Sequence, residues 1–335
     1  MSEFDALPYD AQLQLLLDLA TRSIKNWDLP SGVTVALINL SENATYAVTA
    51  ASGQKWALRI HRAGYHTPAA IASELAWLQA LRAAGVVVTP DPVRGRDGKI
   101  IQAIRDPRLG LRHLVLSHWE DGAEPGIGQD LIRPFEVLGE ATARMHRHSR
   151  DWTRPPGFDR PIWNFETALG EDAPHWGRWR DGIGVGAAEA RLFGRTVALI
   201  GKRLAAYGQG PERFGLIHCD LRLANLLVDG DAVKVIDFDD CGFGWFMYDV
   251  ATPVSFYEHE PQVPDLIASW TRGYRRVLDL AAADEAEIAT FIMLRRLLLV
   301  AWIGSHSQTD LAKSMGQPYT QGSMGLCEQY LSRFG

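Results

Sequence analysis

The stretch that decides the fold reads His-Cys-Asp-Leu-Arg-Leu-Ala-Asn from His218 to Asn225, followed by Asp-Phe-Asp-Asp from Asp237 to Asp240. Asp220 and Asn225 flank a loop, and Asp237 ends an apolar strand-like run, so its carboxylate can face that loop. Mg²⁺ prefers hard oxygen ligands and usually takes one or two carboxylates together with substrate phosphates. The spacing therefore predicts that Asn225 and Asp237 bind Mg²⁺, while Asp220 accepts the proton of an attacking alcohol.

The order of elements around this stretch predicts two lobes. Amphipathic spacing predicts an opening helix over 9–26, and the following β-rich runs predict five strands and one further helix. Beyond the polar residues 119–126 the pattern is mostly helical, and one β-rich island carries the loop described above. The helices are expected over 131–148, 187–207, 265–281, 284–305 and 322–334. Helices segregated from an antiparallel sheet define the α+β class. We expect an N-lobe at 1–118, a hinge at 119–126 and a C-lobe at 127–335.

Composition and charge limit the possible partners. The 335 residues are 47% hydrophobic and 22% charged, with a formal net charge of -6, which is typical of a globular protein and excludes disorder or a coiled coil. No polybasic run is present, and binding to nucleic acid or to an anionic membrane surface needs clustered Lys and Arg. We therefore expect no nucleic-acid or membrane partner, and any bound phosphate must be held locally.

The same sequence predicts a cytoplasmic location. Three cysteines, an odd and irregular set, do not form a disulfide framework. Residues 1–10 are acidic and lack the apolar core of a signal peptide. The most apolar stretch, 288–304, is interrupted by Arg295 and Arg296, which predicts a buried core helix instead of a membrane anchor. The oligomeric state stays open.

The pattern H-x-D-x-x-x-x-N followed by I-D-F-D-D resembles the catalytic and metal loops of the aminoglycoside phosphotransferase and choline kinase family. That family shares the protein-kinase fold. Residues 40–46 resemble its phosphate-covering loop, 57–60 its third strand, and 248–251 its Y-D-L-A helix start, while Glu74 falls at its ion-pair position. Two runs, L-R-I-H-R-A-G-Y and F-D-R-P-I-W-N-F-E, are most similar to the branch with bacterial homoserine-kinase-like and stress-response kinases.

The resemblance implies a bilobal protein-kinase-like fold, in which a mainly helical C-lobe follows an N-lobe of antiparallel sheet and helix. It also implies an ATP-dependent phosphotransferase that transfers the γ-phosphoryl group to a hydroxyl of a small metabolite, such as an amino alcohol, amino acid or aminoglycoside-like compound. Asp220 would be the catalytic base, Arg222 would neutralise charge on the transferring group, and ATP and Mg²⁺ would be the cofactors. The nucleotide-binding residues would be Asn43, Arg59, Glu74, Ser117 and Trp119. Arg59 stands where most kinases have lysine, so the group that holds the phosphates, the phosphate clamp, would be a planar guanidinium instead of an ammonium.

The acceptor side is predicted from residues 151–186, which are too long and too aromatic for a mere connector. These aromatic residues can form core packing between helices, or their ring faces can bind a cationic amine together with nearby carboxylates. On the second interpretation Trp163, Asp239 and Asp240 contact the substrate.

Two alternatives to a small-molecule kinase follow from the same residues. The acceptor could be a protein Ser or Thr, as in the stress-response branch, but the short segment between Asp237 and Tyr248 leaves little room for an activation loop. The chain could instead be a nucleotide-binding pseudokinase, an interpretation motivated by Arg59. The presence of Asp220, Asn225 and Asp237 together favours an active enzyme.

Overall fold

A computed structural model of the chain describes residue 4 and residues 7–335. Half of the residues used to predict the absence of a signal peptide, 1–3, 5 and 6 of 1–10, lie outside the described residues. The chain divides into two compact units: the first contains the chain up to Arg82 with Thr89–Asp121 and Arg154–Asp159, and the second contains Ala83–Val88, Gly122–Thr153 and Arg160–Gly335. The hinge at 119–126 and the lobe limits beside it stay predictions.

The first unit is built on an antiparallel sheet of five strands in the order β1-β2-β3-β5-β4. The strands are β1 (Thr34–Leu40), β2 (Ala44–Thr49), β3 (Lys55–Ile60), β4 (Gln102–Asp106) and β5 (Gly110–His118), and the helices are α1 (Tyr9–Ser23) and α2 (Pro68–Ala83). Side chains alternate along each strand, so Leu58 and Ile60 join α1 in one core. Val115 faces the other side and packs on Ile71 and Leu75 of α2.

The second unit is mostly helical and contains two small sheets. Its helices are α3 (Ile132–Asp151), α4 (Phe165–Leu169), α5 (Ala187–Tyr207), α6 (Tyr248–Ala251), α7 (Val263–Tyr274), α8 (Ala282–Ala286), α9 (Ile288–Ser305) and α10 (Asp310–Phe334). Its strands are β6 (Ile162–Trp163), β7 (Phe214–Ile217), β8 (Leu226–Asp229), β9 (Ala232–Val235) and β10 (Gly242–Trp245). Strands β6, β10 and β7 form one sheet, and β8 and β9 form a hairpin. The α+β class with an antiparallel N-terminal sheet is thus confirmed.

Helix α9 is the core helix of the second unit. The segment Ala282–Ser305 is long and apolar enough to cross a membrane, yet 78% of its apolar 18-residue window is buried inside the protein. Its two charged residues have protein partners: Arg296 donates to Glu258 at 2.6 Å and to Ser323 at 2.7 Å. A helix that is apolar on all sides and enclosed by others matches the core helix that the sequence predicts.

Several element boundaries differ from the sequence expectation. The helix expected over 284–305 is broken at Glu287 into α8 and α9, and the one expected over 265–281 ends at Tyr274. Helix α10 begins at Asp310 instead of residue 322 and is kinked at Gly316, which has a φ of 46°. Strands β6 and β10 were not expected, because two and four residues are too few for alternation to be recognised.

Two glycines allow the close packing of α3 against α7. A Cβ atom at Gly139 would lie 2.0 Å from the Trp270 carbonyl oxygen, and one at Gly273 would lie 1.8 Å from that of Glu136. Either substitution by alanine forces the two helices apart.

We expect Gly139→Ala and Gly273→Ala each to lower the free energy of unfolding by about 1–3 kcal/mol, measured by denaturant titration. Gly325→Ala is the matched control, because it lies in helix α10 with open space around its Cβ position. That variant should be neutral or stabilised by roughly 0.5–1 kcal/mol. Equal destabilisation of all three would show that α3 and α7 are not packed through glycine.

Candidate active site

The loop after β7 is held by side chains of the segment that follows β10. The backbone N–H groups of His218 and Cys219 donate to the Asp249 carboxylate at 3.1 and 2.8 Å, and the N–H of Leu221 donates to Thr252 at 2.9 Å. Cys219 has a φ of 69°, a left-handed conformation that a residue other than glycine adopts at a cost. The bonds that its own N–H and the N–H of His218 donate to Asp249 stabilise this turn.

Buried histidines connect the loop to its surroundings. His146 of α3 lies 3.1 Å from the Asp249 carboxylate and 3.0 Å from the Tyr274 hydroxyl. Nδ1 of His218 accepts from the Asp220 N–H at 3.2 Å, so its Nε2 donates to the Ile236 carbonyl at 3.1 Å. Burial lowers the pKa of both histidines. Neither imidazole therefore supplies charge: His218 orients the loop backbone, and His146 positions the Asp249 carboxylate.

Three donors surround the carboxylate of Asp220. Arg295 of α9 donates to Oδ1, while Asn225 and Arg222 donate to Oδ2 at 2.8 and 3.2 Å. Burial raises the pKa of this carboxyl, but the charges of Arg295 and Arg222 outweigh it and leave the pKa below its ordinary value. Asp220 is thus a fixed and ionised hydrogen-bond acceptor near neutral pH.

The residues predicted as metal ligands lie side by side. Both bonds from Nδ2 of Asn225 go to Asp220, at 2.9 Å to its carbonyl and 2.8 Å to its carboxylate, which directs Oδ1 of Asn225 elsewhere. Ile236 donates its N–H to the Asn225 carbonyl at 2.9 Å and so extends the β8–β9 pairing. Asp237 follows directly, is half-buried, and has a φ of 60°. An amide oxygen and a carboxylate are ligand types that suit a hard divalent cation, and metal binding by these two residues stays a prediction.

The predicted acceptor residues lie in a loop that is fixed through its backbone. Buried Arg160 donates to the carbonyl of Asp239 and, at 2.6 Å, to that of Cys241. The indole N–H of Trp163 donates to the Asp240 carbonyl at 2.9 Å, and its ring packs on Trp176 at 5.1 Å between ring centroids. Trp163 therefore braces the loop that contains Asp239 and Asp240, and substrate contact by these three residues stays a prediction.

Sequence reasoning missed Arg295 and Arg160. Arg295 lies 75 residues from Asp220 along the chain, and Arg160 lies 79 residues from Asp239. One signal could have indicated the first: an arginine in the centre of a helix that is apolar on every side must be paired, since an unpaired buried charge is very costly.

In the first unit the predicted ion pair is present. Arg59 is paired with Val115 across β3 and β5, so it points toward the same face as Val115, where α2 packs. There Nη1 of Arg59 donates to the buried Glu74 carboxylate at 2.9 Å. The guanidinium is thereby oriented, and its role as phosphate clamp stays a prediction.

The other nucleotide-binding candidates occupy both edges of β3. Asn43 accepts the N–H of Arg62 on its side-chain oxygen at 3.1 Å, which ties the β1–β2 turn to the end of β3. Ser117 of β5 pairs with Ala57, and the N–H of Trp119 reaches the Lys55 carbonyl at 3.4 Å. Contacts of these groups with a nucleotide remain predicted.

A model of the phosphotransferase enzyme family, APH, matches residues 34–285. The chain belongs to this family. A solved microcompartment-associated aminopropanol kinase is 46% identical, with a TM-score of 0.88, over 95% of this chain and 98% of that one. The amicoumacin kinase of Bacillus subtilis is 24% identical over 71% of this chain and 70% of its own length. A solved amicoumacin kinase in complex with AMP-PNP, Ca²⁺ and Ami has a TM-score of 0.74 at 23% identity, over 92% of this chain and 93% of that one.

These similarities confirm the family resemblance and the kinase-like fold. The protein is a kinase that transfers the γ-phosphoryl group of ATP to a hydroxyl of a small metabolite, and ATP and a divalent metal ion are its cofactors. Neither a protein acceptor nor a pseudokinase is needed to account for the residues.

Substituting two aspartates separates proton acceptance from metal binding. Asp220→Asn keeps the shape but loses the acceptor, so we expect kcat to fall by about 10²–10⁴ while ATP affinity measured by calorimetry changes little. Asp237→Asn is the matched comparison and should weaken Mg²⁺-dependent ATP binding. If Asp220→Asn lost ATP binding and kept its rate per bound complex, the two roles would be exchanged.

The Arg59 clamp makes a graded prediction. Arg59→Lys should raise KM for ATP or lower kcat appreciably, because the lysine ammonium cannot replace the planar guanidinium. Arg59→Ala should have the same effects to a severe degree. Glu74→Gln tests the residue that orients Arg59, and its effect on kcat and KM should lie between the effects of the two Arg59 variants. If steady-state kinetics gave equal kcat and equal KM for ATP in wild type and all three variants, Arg59 would have only a structural role.

Proposed function

We propose that this enzyme phosphorylates the hydroxyl group of a small amino alcohol of the aminopropanol type, with Mg²⁺ as its metal ion. The observation that carries the proposal is the 46% identity to an aminopropanol kinase over 95% of the chain. The relatives of the amicoumacin type are about half as similar, at 23–24% identity.

The second unit has groups that suit a cationic acceptor. Burial lowers the pKa of Arg295, but Tyr248, Asp220 and Asp240 raise it above its ordinary value. The Asp240 carboxylate therefore lies within electrostatic range of the Arg295–Asp220 pair. An amino alcohol carries an ammonium group close to its hydroxyl, and a carboxylate near the base can bind one while the base binds the other.

The residues of the chain then divide the reaction between them. Asp220 accepts a hydrogen bond from the acceptor hydroxyl and takes its proton as the new O–P bond forms and the bond to ADP breaks. Arg222 and Arg59 supply positive charge for the transferring phosphoryl group and the nucleotide phosphates. Asn225 and Asp237 would hold Mg²⁺, which neutralises charge on the β and γ phosphates when bound.

We also propose that the enzyme acts in the cytoplasm on small molecules alone. Its three cysteines are buried and form no disulfide bond, as expected for a protein of a reducing compartment. The buried Arg295 and Arg296 within α9 support a place for that helix inside the protein.

An acceptor panel tests the substrate class. The purified protein with ATP and Mg²⁺ would be given 1-amino-2-propanol, ethanolamine, choline, 1,2-propanediol, homoserine, an aminoglycoside and amicoumacin. ADP release gives kcat/KM, and phosphorus NMR identifies the product. We expect an amino alcohol to exceed the amine-free 1,2-propanediol by at least about tenfold, because the neutral compound has no ammonium group for the Asp240 carboxylate to attract.

Two controls make the panel decisive. Asp240→Asn should reduce the preference for 1-amino-2-propanol over 1,2-propanediol, while Asp10→Asn, an exposed charge in α1, should leave it unchanged. A highest kcat/KM for amicoumacin, an aminoglycoside or an amine-free alcohol would contradict the proposal and leave the family membership intact.

A further inference from the structure

Arg295 is enclosed by polar partners deep in the second unit. Its side chain is almost completely buried, Nε donates to the Ser255 hydroxyl at 3.0 Å, and Nη1 donates to the Tyr248 hydroxyl at 3.2 Å. Nη2 donates to Oδ1 of Asp220, and the guanidinium lies 5.2 Å from the centre of the Trp176 ring. These contacts fix both the position and the plane of the guanidinium.

Stability of the fold alone is a weak explanation for a buried arginine at this position. Removing a cation from water costs several kcal/mol, and a buried ion pair can often be replaced by apolar residues with no loss of stability. The neighbouring Arg296 shows what a structural pair on the same helix looks like, since it binds Glu258 and Ser323 and does not contact Asp220. Arg295 instead donates a hydrogen bond to Asp220, the predicted base.

Counting lone pairs shows what this contact does. Each carboxylate oxygen has two acceptor sites. Oδ2 of Asp220 receives donors from both Asn225 and Arg222, whereas Oδ1 receives one from Arg295. The remaining acceptor site of the carboxylate therefore lies on Oδ1, the oxygen that Arg295 binds.

We propose that Arg295 is a positioning residue for phosphoryl transfer: it fixes the rotation of the Asp220 carboxylate so that the open acceptor site of Oδ1 faces the acceptor hydroxyl. Tyr248, Ser255 and Trp176 in turn hold the guanidinium. The inference rests on the proposed role of Asp220 as base, and it does not depend on which small acceptor the enzyme uses.

Four variants test this role by steady-state kinetics with 1-amino-2-propanol, or with the best acceptor of the panel if that compound is not phosphorylated. Arg295→Met removes the bonds at similar volume, and we expect kcat to fall by about 10–10² because a misplaced base loses near-attack geometry. Arg295→Lys should recover part of the loss. KM for ATP should change by less than about threefold in both. Arg296→Lys and Arg296→Met are the matched controls and should keep kcat once folded.

A double-mutant cycle decides whether Arg295 acts through Asp220. In the Asp220→Asn background, Arg295→Met should change kcat by less than about threefold, because the group that it positions no longer accepts the proton. The same loss in both backgrounds, or unchanged kcat in folded Arg295→Met, would overturn the proposal. So would a kcat loss in the Arg296 variants as large as that in the Arg295 variants.

A milder variant covers the case in which Arg295→Met does not fold. Tyr248→Phe removes one partner of the guanidinium and should lower kcat by roughly fivefold with KM for ATP unchanged. Unchanged kcat in both Tyr248→Phe and Arg295→Lys would equally overturn the inference. Wild-type turnover of 1-amino-2-propanol reports separately on the proposed substrate class, so the two ideas fail independently.

Discussion

The site depends on one carboxylate that takes no part in the chemistry. Asp249 receives the N–H groups of His218 and Cys219 on its two oxygens, and His146 lies against it from α3. A buried N–H group without a partner costs about 1–3 kcal/mol, so loss of this carboxylate leaves two such groups beside a strained residue. The left-handed turn at Cys219 sets the direction in which the chain carries Asp220 toward Arg295. The bonds to Asp249 therefore fix the turn on which the position of Asp220 depends.

The surroundings of Asp220 suit a reaction in which position matters more than basicity. Burial opposes ionisation, but Arg295 and Arg222 keep the pKa of this carboxyl below its ordinary value. A weak base is adequate because phosphoryl transfer passes through a loose transition state in which little proton transfer is needed early. The same two arginines, with Asn225, occupy most of the acceptor sites of the carboxylate. Asp220 is therefore a weaker base, but its carboxylate keeps one acceptor site whose direction is fixed for the acceptor hydroxyl.

The sequence allowed the antiparallel sheet, the catalytic loop and the Arg59–Glu74 pair to be predicted, because each rests on local periodicity or on a motif. Alternation along β3 already places Arg59 opposite to Leu58 and Ile60. The boundaries of α8, α9 and α10 were missed, because glycine, proline and acidic residues there weaken the helical pattern and tertiary packing decides the outcome. Arg160 and Arg295 were missed for a different reason. Arg160 binds Asp239 and Arg295 binds Asp220, each more than seventy residues away, and only the folded chain brings these pairs together.

The acceptor side is arranged so that its chemistry can change without loss of the loop. Arg160 and Trp163 bind the carbonyl groups of Asp239, Asp240 and Cys241, and they make these bonds whatever side chains follow. The catalytic loop, in contrast, is held through the side chains of Asp249, Thr252 and Asn225. A substitution at 239 or 240 therefore changes the charge of this loop while the backbone stays fixed. A change in the second set would move Asp220, the proposed base. On the roles proposed here, acceptor selectivity and phosphoryl transfer would be carried by separable sets of bonds within one unit.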